Sequence, residues 1–314
     1  MAIEWNPKQY PVQGLTGLWG GASGALTNSS GASTWYGDRG VAGMQQNINY
    51  WNMTSTGNCS QFGNCEAMKS GYAGSSNGSR AVFGAGGNPD NTKMQYVTIA
   101  STGQASDFGN SNYSGVNTRG GWSGNGYGGN AGGGYPIINH VDYYTVASTG
   151  NASDFGDLTQ NVRSPAGGMG DGDSFIICGG GDPGTQFLNR FSTGGPGNGT
   201  NIGNIQYSHY WAQGVSGGGD FERCVIGGGI GGDQKMEYFT TQASSITAQN
   251  FGNLGGYTAW GMGGCSNDTR GVWSGGYGNE QKMSYITIAT TGNATDWGVG
   301  TVHGSYGINS VTGD

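Results

Sequence analysis

Of the 314 residues, 69 are glycine, about three times the usual share, while only 10% are charged. With 9 Trp, 17 Tyr and 10 Phe, the chain is too aromatic and too charge-poor for a solvating disordered segment, so a fold is expected if the glycines are periodic. A net charge of −7 argues against a nucleic-acid partner, which requires clustered Lys and Arg, and no stretch approaches the ~20 apolar residues of a membrane-inserted helix.

Residues 1–37 precede any repeat. The opening MAIEWNPKQYPVQ has no basic segment leading into an apolar run, so no secretory leader is expected. Trp5, Tyr10, Leu15, Leu18 and Trp19 make this stretch an apolar N-terminal arm that must bury itself against the rest of the chain or against a partner. Alternatively, Leu15–Gly24 is itself a strand of an additional repeat.

From Asp38 onward the chain repeats. NYWNMTSTGNCSQFGN from Asn49, QYVTIASTGQASDFGN from Gln95, DYYTVASTGNASDFGD from Asp142 and SYITIATTGNATDWGV from Ser284 are near copies, and degraded copies start at Gln186 and Glu237. Their aromatic anchors are Tyr50, Tyr96, Tyr143, Phe187, Tyr238 and Tyr285, spaced 46, 47, 44, 51 and 47 residues apart. A second aromatic follows each of four anchors, at Phe62, Phe108, Phe155 and Trp297. A double-glycine element precedes the anchors, as in SRAVFGAGG, ERCVIGGG and TRGVWSGG. Arg39, Arg80, Arg119, Arg223 and Arg270 mark one register before it, as carboxylate partners between repeats or as solvated loop charges.

YVTIAST and YITIATT are β-branched and aromatic, and RAVFG and FIICG are short apolar runs ended by glycine; all read as strands. STGNASDFG carries turn chemistry, with Asp107, Asp154 and Asp296 as turn-formers, and leads into a fourth strand. No stretch of ten residues has helical periodicity. Each repeat of about 47 residues is therefore four strands, a to d. The expected fold is all-β: a single β-propeller of four-stranded blades over 38–314, with six blades favoured and seven as the alternative. In the six-blade version, Val302–Ser310 supplies strand a to the strands that begin at Arg39 and so closes the ring.

The double glycine, the aromatic opening strand c and the second aromatic about a dozen residues on resemble the kelch repeat of galactose-oxidase-type propellers, over roughly Arg39 to Trp297. The wording of the copies, IASTGNASDFG and IATTGNATDWG, resembles repeats in structural proteins of bacteriophages of marine cyanobacteria. That resemblance implies a non-enzymatic virion protein, made in the host bacterial cytoplasm and displayed on the virion surface for attachment. It would contact other virion proteins, or a second copy of itself, through the N-terminal arm, and a glycan of the host cell surface. The alternatives are a carbohydrate-binding propeller unconnected with a virion, and an enzyme on a kelch-like scaffold.

The residues offer little for catalysis. GNGYGG at Gly124–Gly129 lacks the strand–helix context of a dinucleotide loop, and GSSNG at Gly74–Gly78 falls in an a–b connection rather than a nucleophile elbow. His140, His209 and His303 belong to different repeats, and GDGDS, with Asp171 and Asp173, reads as a polar turn before a calcium loop. Cys59, Cys65, Cys178, Cys224 and Cys265 have no zinc spacing and read as small buried thiols, although Cys59 and Cys65 are near enough in sequence to bridge. No cofactor or metal is expected. The candidate ligand-binding residues are Tyr207, His209, Tyr210 and Trp211, in the aromatic segment YSHYWAQG, together with Trp122 and Tyr127, with Tyr135 a further ring of the same glycine-rich stretch; exposed rings stack on sugar faces while neighbouring amides bond hydroxyls.

Overall fold

The computed structural model describes residues 25–27, 33–35, 37–44, 46–66, 73–84, 92–113, 118–181, 184–217, 223–255, 260–278, 281–300 and 308–313. Among these, every regular element is a β-strand. Six antiparallel sheets form the blades of a propeller. Blade 1 pairs Asn309–Gly313, Arg39–Met44, Asn47–Asn52 and Ser60–Asn64 as strands a to d. The strands a of blades 2 to 6 are Ala73–Ser76, Gly120–Gly124, Ala166–Gly170, Gln213–Gly217 and Gly263–Ser266. Each neighbours the next around the axis, and the last neighbours Asn309–Gly313.

The ring therefore closes with six blades, and the chain's end supplies the missing strand. That strand lies at Asn309–Gly313, a few residues beyond the Val302–Ser310 expected from sequence; 301–307 fall outside the described residues. Of the N-terminal arm, residues 1–24, including the proposed strand Leu15–Gly24, are likewise outside the description. A short hairpin, Ala25–Thr27 with Ser33–Trp35, lies beside strand a of blade 3.

The recurring STGN wording serves one purpose wherever it stands: it clasps the neighbouring blade. In the c–d connection of blade 3, Gly150 N–H donates to Phe108 O at 2.7 Å, Ala152 N–H to Asn110 O at 2.8 Å, and the Asn151 side chain accepts Asn110 N–H at 2.9 Å. Equivalent bonds join Asn58 to Val299, Gln104 to Asn64, Asn198 to Asp157 and Asn293 to Asn253. In blade 5 the clasp is a parallel pairing of Ile246–Thr247 with Gly203–Asn204. Each outer strand d, which would otherwise expose an unpaired edge, is thus covered by the following blade. Gly109 shows why the clasped strand d carries glycine in SDFG: its φ of +141° disfavours side chains, and a Cβ there would strike the backbone of Gly150.

The strand-b arginines are a second interblade tie. Arg80 lies over the Tyr96 ring at 4.2 Å and donates to Val146 O of the next blade at 3.3 Å. Arg39, Arg223 and Arg270 do the same with Tyr50 and Ile99 O, Tyr238 and Ile288 O, and Tyr285 and Met53 O. Their partners are carbonyls, not carboxylates.

Two sequence assignments need correction. Arg119 belongs to a different register, immediately before strand a of blade 3. It is buried and bonds Asp142 Oδ2 at 2.7 Å and Ser111 Oγ at 2.8 Å. In blade 4 the anchor is not Phe187 but Arg190, which pairs with Ile176 as Tyr96 pairs with Val82. Arg190 supplies from strand c the guanidinium that other blades supply from strand b, donating to Thr241 O at 2.8 Å. The spacing irregularity around Phe187 disappears once Arg190 is the anchor.

The Asp of SDFG is also not a turn-former: Asp107, Asp154 and Asp296 lie inside strand d, exposed. All five cysteines are free and buried, so Cys59 and Cys65 are not bridged. Burial pushes the Cys65 thiol up to about 11 and those of Cys178, Cys224 and Cys265 further still.

Candidate ligand-binding face

Because strands a to d of a blade run antiparallel, the b–c and d–a connections emerge at one end of the propeller, and the clasping c–d connections at the other. The exposed large hydrophobics gather at the first end. Among the described residues they are Tyr113, Tyr135, Ile230 and Tyr277, in b–c or d–a connections, and Val299, the last residue of a strand d.

The d–a connection leading into blade 5 carries the aromatic segment. It is anchored from below by His209, which is fully buried. His209 Nδ1 lies 2.7 Å from Gly228 O and therefore donates; Nε2 faces Glu237 Oε2 at 2.9 Å. The buried Glu237 carboxylate also accepts the N–H groups of Gln206 and Tyr207 at 2.8 and 3.2 Å. The Tyr207 ring packs edge-on against His209, 6.0 Å away. His209 and Tyr207 are thus supports for the connection. Of the aromatics singled out in the sequence, Tyr210, Trp211 and Tyr135 reach the face.

They join an array of rings that the sequence scatters over four blades. The Arg163 guanidinium lies between Tyr135 and Tyr210, 4.4 and 5.4 Å from the two ring centres. The Tyr210 ring packs against Gly181, where any Cβ would collide with it. From Tyr210 the array runs to Trp211 at 5.7 Å, to Trp260 at 4.8 Å and to Tyr277 at 4.6 Å. Tyr135 is 63% exposed and Tyr277 44%. Trp260, in LGGYTAWGMGG, and Tyr277, in SGGYGNE, lie in glycine-rich connections without the aromatic density of YSHYWAQG, so the sequence does not single them out.

Trp122 and Tyr127 do not belong to this face. Trp122 is 1% exposed and stacks on Phe175 at 3.9 Å, in the core between blades 3 and 4. Tyr127 begins strand b of blade 3, where four other blades place arginine, and packs edge-on against Tyr143.

Beside Trp211, at the end of the central channel, Thr118, Arg119, Ser164, Gln213, Gly261 and Met262 help to line a cavity of about 30 Å³. Its rim is tied together by backbone bonds between blades: Trp211 N–H to Ser164 O at 3.2 Å, Gly261 N–H to Trp211 O at 2.9 Å, and Ile308 N–H to Gly261 O at 3.0 Å. Thr118, Ser164, Trp211 and Gly261 each stand two residues before a strand a, and all are left-handed, with φ of 59°, 51°, 64° and 75°. The hydroxyl of Ser164 is buried and makes no hydrogen bond among the described residues.

The remaining sequence features are structural. Asp171 accepts from Ser174 within the a–b turn of blade 4 and from Gln242, as a polar turn should. GSSNG and GNGYGG occupy a–b hairpins of blades 2 and 3. His140 bonds Asn112, 2.7 Å away; His303 lies outside the described residues. Compared with known proteins, the chain matches no protein-family model and no curated sequence.

Proposed function

We propose that the protein is a non-enzymatic binding propeller of a phage particle, displayed on the virion surface and used for attachment to a bacterial host. The six-bladed fold fits a binding or scaffold role. The observation that carries the binding reading is the collection of exposed rings at one end of the propeller, opposite the end devoted to clasps. The virion reading rests on the resemblance of the repeated phrase to cyanophage structural proteins. On this reading the protein is made in the host cytoplasm, and the N-terminal arm, whose hairpin at Ala25–Thr27 and Ser33–Trp35 lies beside blade 3, provides the contact to other virion chains or to a second copy. The test is direct. Antibody against the folded propeller should label intact particles, and purified propeller should compete with particles for adsorption to host cells. Particles that lack the chain by mass spectrometry would refute the proposal.

A further inference from the structure

Within this attachment reading, we propose that the Tyr135–Tyr277 face binds a neutral oligosaccharide, one sugar ring lying against the Trp211–Trp260 pair and a hydroxyl or hydroxymethyl arm entering the cavity at Ser164. The inference rests first on an internal comparison. At the position two residues before strand a, the fold requires a left-handed residue, and Gly261 shows that glycine meets the requirement while making the same interblade backbone bonds. Left-handed backbone disfavours every residue with a Cβ. Yet Thr118, Ser164 and Trp211 occupy this position in three successive blades, in a chain that uses glycine freely elsewhere. Backbone bonding does not require their side chains, and all three line the one cavity. Strain retained in a cluster of this kind marks a functional site.

The chemistry of the lining selects the ligand. Hydroxyls of Thr118 and Ser164 and the amide of Gln213 alternate with Trp211 and the adjoining rings. The one cation in the wall, Arg119, is neutralised by Asp142 within bonding distance. A ligand with apolar C–H faces and neutral hydroxyls matches rings and uncharged polar groups together. The buried Ser164 Oγ, without a hydrogen bond among the described residues, would gain one from the sugar, and the cavity has room for about one or two waters or a small polar arm. An anionic group entering this cavity would find the Arg119 guanidinium already occupied.

The experiment is a titration of the full chain with maltohexaose, cellohexaose and chitohexaose, read by tryptophan fluorescence and calorimetry. At least one should bind with Kd below about 1 mM, and Trp211→Gly and Tyr277→Ala should each weaken it by about tenfold. Trp211→Gly keeps the left-handed backbone, and Tyr277 is at the surface, so both variants should fold. Tyr127→Phe, away from the face, should bind as the parent does. Absence of binding by all three at about 10 mM, or binding that survives both substitutions, would overturn the proposal. Binding of dextran sulfate alone would overturn it too. None of these outcomes bears on whether the chain is present on particles, so failure here is distinct from failure of the virion reading.

Discussion

Replacing Ser164 by glycine should make the protein more stable and its glycan site weaker. Ser164 is left-handed at φ +51° and precedes Pro165, whose ring narrows its choices further. Left-handed backbone costs a residue with a Cβ about 1–2 kcal/mol, and a buried hydroxyl without a hydrogen bond costs about 1–3 kcal/mol. Against these gains, glycine adds about 0.4–1 kcal/mol of unfolded-state entropy. The Ser164 carbonyl accepts from Trp211 whichever residue stands there. The net expectation is a gain of about 1–4 kcal/mol. For a chain of this size that raises Tm by roughly 2–6 °C, measurable by scanning calorimetry. Gly261→Ala, the reverse change at the same position in blade 6, should lower it. If Ser164→Gly melts below the parent, the serine is held by interactions that the strain argument ignores, and the cavity loses its claim to be a functional site.

Three further outcomes follow from the ties between blades. Asn151→Ala should cost about 1 kcal/mol in urea unfolding, because the clasp on Asn110 is lost, and Arg80→Met about 1–2 kcal/mol, because the bond to Val146 O goes with the ring contact; losses below about 0.3 kcal/mol for both would mean that the blades are held by their cores alone. Deleting residues 308–314 removes strand a of blade 1 and exposes the edge of Arg39–Met44; it should cost several kcal/mol and promote association, whereas a parent-like melt would refute closure by the chain's end. Burial raises the thiols of Cys65, Cys178, Cys224 and Cys265, so their thiolate fraction at pH 8 is negligible and they should resist alkylation by iodoacetamide; of these four, reaction should begin at Cys65 as pH approaches 11, and prompt labelling of any of them at pH 8 would contradict the buried placement.

The fold was legible because one job recurs in every blade. The STGN phrase repeats almost letter for letter since each copy must fit the same neighbour, and the spacing of Tyr96, Tyr143 and Tyr285 follows from it. Where a job moved between strands, the reading slipped: the guanidinium of blade 4 comes from Arg190 on strand c, so Phe187 looked like the anchor. Arg119 misled for a similar reason, since TRGGWSG imitates TRGVWSG although one opens strand a and the other strand b. The face was less legible. Density of aromatics pointed to Tyr210 and Trp211, and a glycine-rich setting to Tyr135, but Trp260 and Tyr277 join them only through the circular arrangement of blades. Trp122 looked accessible amid glycines, and those glycines are what let its ring slide between blades onto Phe175.

The division of labour between the two ends argues that the variable one is where the protein acts. A selection acting only on folding would treat six equivalent positions alike, as it does at five of the six clasps. It would also place glycine wherever the backbone turns left-handed, as at Gly261. At the other end the connections differ in length and in composition from blade to blade. Three of the described rim positions carry side chains that the backbone disfavours, and large rings stand exposed to water. Neither property helps a propeller to close. Both are what a single asymmetric site needs when it is built on a nearly symmetric scaffold: the symmetry must be broken at the ligand, and the rigidity that holds the broken part must come from the blades beneath. The buried His209–Glu237 pair is the point of contact between the two, since it fixes the Tyr210–Trp211 connection to the b–c turn and strand c of blade 5. Removing one member of such a pair while leaving the other buried costs about 3–5 kcal/mol, so His209→Ala should disorder the connection and abolish ligand binding. The clasps at the opposite end should stay intact, visible as unchanged amide exchange protection at Gly150 and Ala152. Loss of protection at both ends together would show that the face and the scaffold are one cooperative unit, and the division argued here would fail.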